Sequence, residues 1–151
     1  MKVYDVMTQH PVCCHADDTA QTVAKLLRDA DVGCVPVIAN DNSGRLEGII
    51  TDRDLCCSIV AEGLDPATTS IRAFIKQDPI TCRREQSLDS CERLMQVHQI
   101  RRIIVIDGDG CCIGIISQAD LARRELPEKV HRTIAEISKS SRGVIVLPLA
   151  G

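Results

Sequence analysis

The chain repeats itself once, which restricts it to architectures assembled from two similar halves. Each copy ends in a Gly-x-x-[Thr/Ser]-x-x-Asp pattern, Gly48-Ile49-Ile50-Thr51-Asp52-Arg53-Asp54 in the first and Gly114-Ile115-Ile116-Ser117-Gln118-Ala119-Asp120 in the second. Each begins with an X-Pro-aliphatic step, His10-Pro11-Val12 and then Asp78-Pro79-Ile80. The two prolines stand 68 positions apart and the two glycines 66. The two missing residues fall between Ile38 and Gly48 or their counterparts, where a hairpin loop shortens at little entropic cost. A repeat of this length, present only twice, describes a pair of packed units and not a stacked solenoid.

Composition narrows what such a pair can do. With 151 residues the chain can bury a sizeable core, and that core is aliphatic, because Tyr4 and Phe74 are the only aromatics. Nucleic-acid surfaces use aromatic stacking platforms and a strong positive charge; this chain has neither, with a net charge of −3. The first residues carry no long apolar run, so no signal peptide is expected. No segment approaches the roughly 18 consecutive apolar residues of a spanning helix, and a soluble, cytoplasmic protein without membrane contact is expected. The nine cysteines are odd in number, three pairs are adjacent in sequence, and none has C-x-x-C spacing. They read as reduced thiols used as small apolar residues, with oxidant neither creating an essential disulfide nor changing the oligomeric state. Cys14 and Cys82 occupy equivalent repeat positions and are the pair to watch. Neighbouring strand residues point to opposite faces, so Cys13-Cys14-His15 is a poor chelator.

Each unit reads as β-α-β-β-α. In the first, Val12 to Cys14 is a strand, Thr19 caps a helix with Val23, Leu26, Leu27 and Ala30 on one stripe, and Val35–Ile38 and Leu46–Ile50 form a hairpin. A second helix runs from Asp52 to a stop at Gly63. The second unit repeats this with Ile80 to Cys82, a Ser87-capped helix, a hairpin of Ile103–Ile106 and Ile113–Ile116, and a helix ending before Pro127. The fold class is α/β (α+β), with small sheets covered by helices on one side. The divisions are residues 1–63 for the first repeat, 64–70 for a linker, 71–126 for the second repeat, and 127–151 for a C-terminal helix and tail. That helix carries Val130, Ile134 and Ile137 on one face, and the tail from Val144 to Leu149 is apolar.

This order and the paired signature resemble the CBS domain, and the two copies resemble a tandem CBS pair, or Bateman module, across roughly residues 3 to 125. Small stand-alone bacterial CBS-pair proteins are similar in the stretch after Asp54 and in the Leu126-Pro127-Glu128 continuation. The resemblance implies a pseudo-twofold pair and a site shared between repeats, with the ribose aspartate from one and the adenine resting after the X-Pro step of the other. It places Thr51 and Asp54 with Ile80, and Ser117 and Asp120 with Val12. An adenosine-containing ligand is implied, of the AMP, ATP, NAD(H) or S-adenosylmethionine class, together with an effector protein and a homodimer. No catalytic cofactor and no enzymatic activity are expected.

The signature residues also have a physical reading of their own. Glycine at the strand exit lets a ligand approach the backbone. The hydroxyl three residues on stands at a helix N-terminus, which favours anions. The aspartate beyond it can accept two hydrogen bonds from vicinal hydroxyls. Arg101 and Arg102 stand where the first repeat has Gly33 and Cys34. They are either phosphate-binding groups, as guanidinium geometry allows, or solvated surface arginines. The competing function is a non-catalytic structural or redox- and stress-responsive dimer with a vestigial nucleotide site. Uncovered apolar faces around Leu55, Ile59, Leu121, Val130 and Ile134 are expected to form the dimer contact.

Overall fold

A computed structural model describes residues 1–139 of the chain; the apolar tail lies outside them. Among the described residues seven strands form two sheets. β1 (Thr8–Gln9), β7 (Cys112–Ser117), β6 (Arg102–Ile106) and β5 (Thr81–Arg83) make one, in that spatial order. β2 (Cys34–Ile38), β3 (Leu46–Thr51) and β4 (Lys76–Gln77) make the other. Helices α1 (Ala20–Ala30) and α3 (Leu88–His98) occupy equivalent places in the two repeats. Thr19 and Ser87 accept from the N–H groups of Thr22 and Ser90 and fix their starts. Asp31 and Gln99, both left-handed, end them.

The hairpins reproduce each other down to their irregularities. Val37 pairs Gly48 and Ile38 then pairs Leu46, while Val105 pairs Gly114 and Ile106 then pairs Cys112. The residue skipped is Glu47 in one and Ile113 in the other, and the shorter loop of the second copy lies between Ile106 and Cys112, as the spacing requires. The strand expected over Val12–Cys14 shrinks to one parallel bridge, Cys14 with Val37. In the second copy the same contact extends to a ladder, Thr81 to Arg83 against Ile104 to Ile106. Pro36 stands where the second repeat has Ile104, and it has no N–H with which to carry the ladder toward Val12.

The repeats exchange their lead-ins. Val3, Val6 and Met7 are buried with Cys82, Leu88, Met95 and Ile116, the core of the second repeat. Ile71 is buried with Val23, Val35 and Ile50 in the core of the first, where Phe74 and Ile75 also pack. Backbone bonds tie down both exchanges: Val3 N donates to Gln86 O at 3.0 Å and Ile71 N to Asp18 O at 3.0 Å. β1 accordingly pairs with β7, and β4 with β3.

Three expectations need correcting. Leu55, Ile59 and Leu121 are buried within the chain and offer no open face. Their helices, α2 (Asp52–Leu55, continuing as a π-turn through Val60) and α4 (Gln118–Arg124), cover their own repeats. On α5 (Pro127–Ile137) the buried face runs through Thr133 and Ile137, leaving Ile134 36 % exposed. Thr133 is inside because its hydroxyl donates to buried Glu92 at 3.1 Å. Finally, Cys14 and Cys82 belong to different cores; the sulfur beside Cys82 is that of Cys91, at 3.9 Å.

Candidate functional site

A cleft of about 630 Å³ opens between the repeats. Its floor is set by the ends of two strands. β7 runs into Ser117, whose backbone turns to start α4 and whose hydroxyl accepts from Asp120 N. Asp120 returns the contact, its Oδ2 accepting from Ser117 N at 2.8 Å and Ser117 Oγ at 2.6 Å. This reciprocal box holds the carboxylate rigidly at the helix N-terminus, 9 % exposed. Its other oxygen, Oδ1, faces Arg123 at 3.2 Å. Arg123 is largely exposed, so that pair is weak and exchangeable.

Arg102 lies directly across the ladder from Ser117 and reaches over to the other repeat. A Cβ on Gly33 would come within 2.6 Å of its guanidinium. The difference between the copies is therefore complementary: the first repeat keeps Gly33 bare where the second repeat's arginine crosses. Arg101 and Arg102 make no ion pair or side-chain hydrogen bond among the described residues. On the facing wall, Val12 and Val32 are 41 % and 42 % exposed, an apolar pair left open to the cleft. Burial pushes the Cys34 thiol up, while Arg102 acts in the opposite direction.

The structure thus brings Val12, Arg101, Arg102, Ser117 and Asp120 to one cleft. Thr51, Asp54 and Ile80 do not line it. Thr51 and Asp54 form the same box in the first repeat, with Asp54 Oδ2 accepting from Thr51 N at 2.9 Å and Thr51 Oγ1 at 2.9 Å. Ile80 packs partly against the second core. Sequence reasoning missed Asp31, Val32, Gly33 and Arg123. Arg123 was detectable, standing three residues after the second aspartate where the first repeat has Cys57; the exposed valine at the end of α1 had no local signal.

The role given to the signature glycines is corrected. A Cβ on Gly48 would meet Lys76 O at 2.6 Å, and one on Gly114 would meet Met7 Sδ at 2.5 Å. These glycines admit the chain's own exchanged lead-ins and not a ligand. The turns after those lead-ins are also matched: His10 and Asp78, each preceding proline, hold φ of 49° and 50°. Residues before proline ordinarily stay extended, so the surrounding fold imposes both, and His10 lies at the cleft. Among the described residues no group of three or more His, Cys, Asp or Glu is placed to hold a metal ion, and no helix is long and apolar enough to cross a membrane.

The chain is 32 % identical over 124 residues to hypoxic response protein 1 of Mycobacterium tuberculosis, covering 82 % of this chain and 84 % of that one. The solved structure of Hypoxic Response Protein I, with two coordinated zinc ions, superposes with a TM-score of 0.73 at 29 % identity, over 83 % of this chain and all of that one. A CBS domain protein from Pyrobaculum aerophilum complexed with AMP shares the fold with a TM-score of 0.76 at 24 % identity, over 89 % and 98 % of the two chains. The family model for the CBS domain matches residues 3–60 and again 71–126, so the chain belongs to the CBS-domain family, as a tandem pair.

Proposed function

We propose that the chain is a non-catalytic regulatory module that binds an adenosine-containing ligand in the cleft between its repeats. The observation that carries this reading is one cleft combining an open apolar wall, a held carboxylate and the guanidinium groups of Arg101 and Arg102, which make no ion pair among the described residues. Val12 and Val32 would sandwich the adenine, which in a chain so poor in aromatics must rest on aliphatic surface. Asp120, with Ser117 occupying Oδ2, would offer Oδ1 to the ribose hydroxyls once Arg123 swings away. Arg101, Arg102 and the released Arg123 would meet phosphate through charge-assisted bonds. The AMP complex of the Pyrobaculum relative supports this ligand class.

The counterpart around Thr51, Asp54 and Ile80 is proposed as a second site lacking the arginine pair. Binding would favour one relative arrangement of the halves, and the output would pass to a partner protein, with the chain acting as a cytoplasmic homodimer. Calorimetry with AMP and adenosine tests the site. Arg102→Ala should weaken AMP roughly tenfold or more, since a charged hydrogen bond contributes about 1.5–3 kcal/mol, and leave adenosine nearly unchanged. Equal loss for both ligands would remove Arg102 from the phosphate.

A further inference from the structure

Cys13 follows the cleft wall residue Val12, and Cys112 opens β7, the strand that pairs with β1 just before the Pro11 turn, so that the two thiols stand on adjoining segments of the two repeats and influence each other. The backbone holds the two segments together. Gln9 registers with Gly114, and His10 N donates to Ile113 O at 3.3 Å. Both cysteines are half-buried, whereas Cys14, Cys34, Cys82 and Cys91 are buried. The exposed cysteines, Cys56 and Cys57, sit on the closing helix of the first repeat.

We propose that Cys13 and Cys112 form a reversible disulfide on exposure to a peroxide, fastening the lead-in of the first repeat to the sheet of the second beside the cleft. Either thiol can open the sequence; with Cys13, whose sulfur lies in the turn beside the cleft, attacking, Cys112 is the resolving thiol. Cys13 sulfur attacks one peroxide oxygen, the O–O bond breaks, hydroxide leaves, and Cys13 becomes a sulfenic acid. Cys112 sulfur then attacks the sulfenic sulfur, the S–O bond breaks, and the hydroxyl departs as water with the Cys112 proton. The departing hydroxide takes the Cys13 proton, so that two thiols lose two electrons and two protons and hydrogen peroxide leaves as two waters.

Such a bond is dispensable for folding, because the reduced chain already holds both segments in register. Its consequence is local. Cys13 Sγ lies 3.3 Å from Pro11 O, inside the turn that presents Val12, so the link would stiffen that wall. The disulfide does not depend on what the cleft binds.

The test is peroxide treatment of the full chain, alkylation, and non-reducing tryptic mapping. The expected product joins the peptide from Val3 to Lys25 with that from Ile103 to Arg123. Because these peptides also contain Cys14 and Cys111, serine variants assign the bond. Cys14→Ser and Cys111→Ser should retain the link and the accompanying rise in Tm, and reductant should reverse both. Cys13→Ser and Cys112→Ser should abolish them, and Cys112→Ser should leave a dimedone-reactive sulfenic acid on Cys13. A link surviving in Cys112→Ser, or oxidation ending in intermolecular bonds through Cys56 or Cys57, would overturn the proposal.

Discussion

At the scale of single residues, the aspartate of the repeated signature does two jobs that conflict when it is mutated. Asp120 accepts two hydrogen bonds that close the start of α4 and is buried to 9 % exposure. A sequence reading that sees only an aspartate in a first helical turn treats its loss as nearly free. The buried box makes the expected cost of Asp120→Ala about 1–2 kcal/mol, the upper range for a lost cap. AMP binding in the cleft should be lost at the same time, whereas Asp54→Ala should leave that cleft's binding intact. Calorimetry on each folded variant below its Tm checks this, and unchanged AMP binding in Asp120→Ala would end the nucleotide reading. The thiols set a second residue-level expectation. Burial, with Asp18 and Cys13 adding to it, pushes Cys14 up to about 12 from an ordinary value of 9.0. The unfolded chain releases that proton near the ordinary value while the folded chain keeps it. Stability is therefore full below about pH 9 and declines as pH rises toward about 12. Urea midpoints should fall between neutral pH and about pH 10, and by less in Cys14→Ala; an equal fall in both would assign the effect to other groups.

At the scale of elements, periodicity and caps located most of the chain. Thr19, Ser87 and the Val23–Leu27 stripe define α1 and α3, because a cap and an apolar stripe are local properties. What failed was set by contacts distant in sequence. The bridge at Cys14 depends on Pro36 across the ladder, and the buried face of α5 depends on Glu92 of α3. Glu92 is 4 % exposed, and its carboxylate takes Thr133 Oγ1 at 3.1 Å and Lys129 Nζ at 3.2 Å. Lys129 also reaches Asp89 at 2.6 Å and Glu125 at 3.0 Å, so one ammonium joins α3, α4's end and α5. Removing one member of a buried pair leaves an uncompensated charge. Because Lys129 is a third exposed and water can partly replace it, Lys129→Met should cost about 2–3 kcal/mol. The double change Lys129→Met, Glu92→Met should recover most of that loss in chemical denaturation. Failure to recover would show that the network contributes through specific hydrogen bonds and not through charge balance.

At the scale of the whole molecule, the repeat was legible but the exchange was not. Val3, Val6 and Met7 match Ile71, Phe74 and Ile75 in spacing, and either set would fill either core by pattern alone. The choice is made by chain geometry, with β1 continuing onto β7 and β4 onto β3. The same geometry brings Val12 and Asp120, which the family resemblance pairs, to one cleft, because each lead-in leaves its own repeat. A chain built this way has no independent halves. Residues 1–63 alone would lack Ile71, Phe74 and Ile75, and would leave the first core uncovered; burying each such side chain contributes about 1.5–3 kcal/mol. That fragment is expected to remain unfolded, and the full chain to unfold in one transition. Tyr4 offers a direct probe, since it lies in the first repeat's sequence but packs on the second. Its N–H donates to Arg84 O at 3.1 Å, and the Arg84 guanidinium stands 4.5 Å from its ring centre. As the sole tyrosine in a chain without tryptophan, it reports the second core, while far-UV circular dichroism reports all helices. The two signals should coincide in urea. A tyrosine transition separated from the helical one would show that the second core melts by itself and that the exchange does not bind the halves into one cooperative unit.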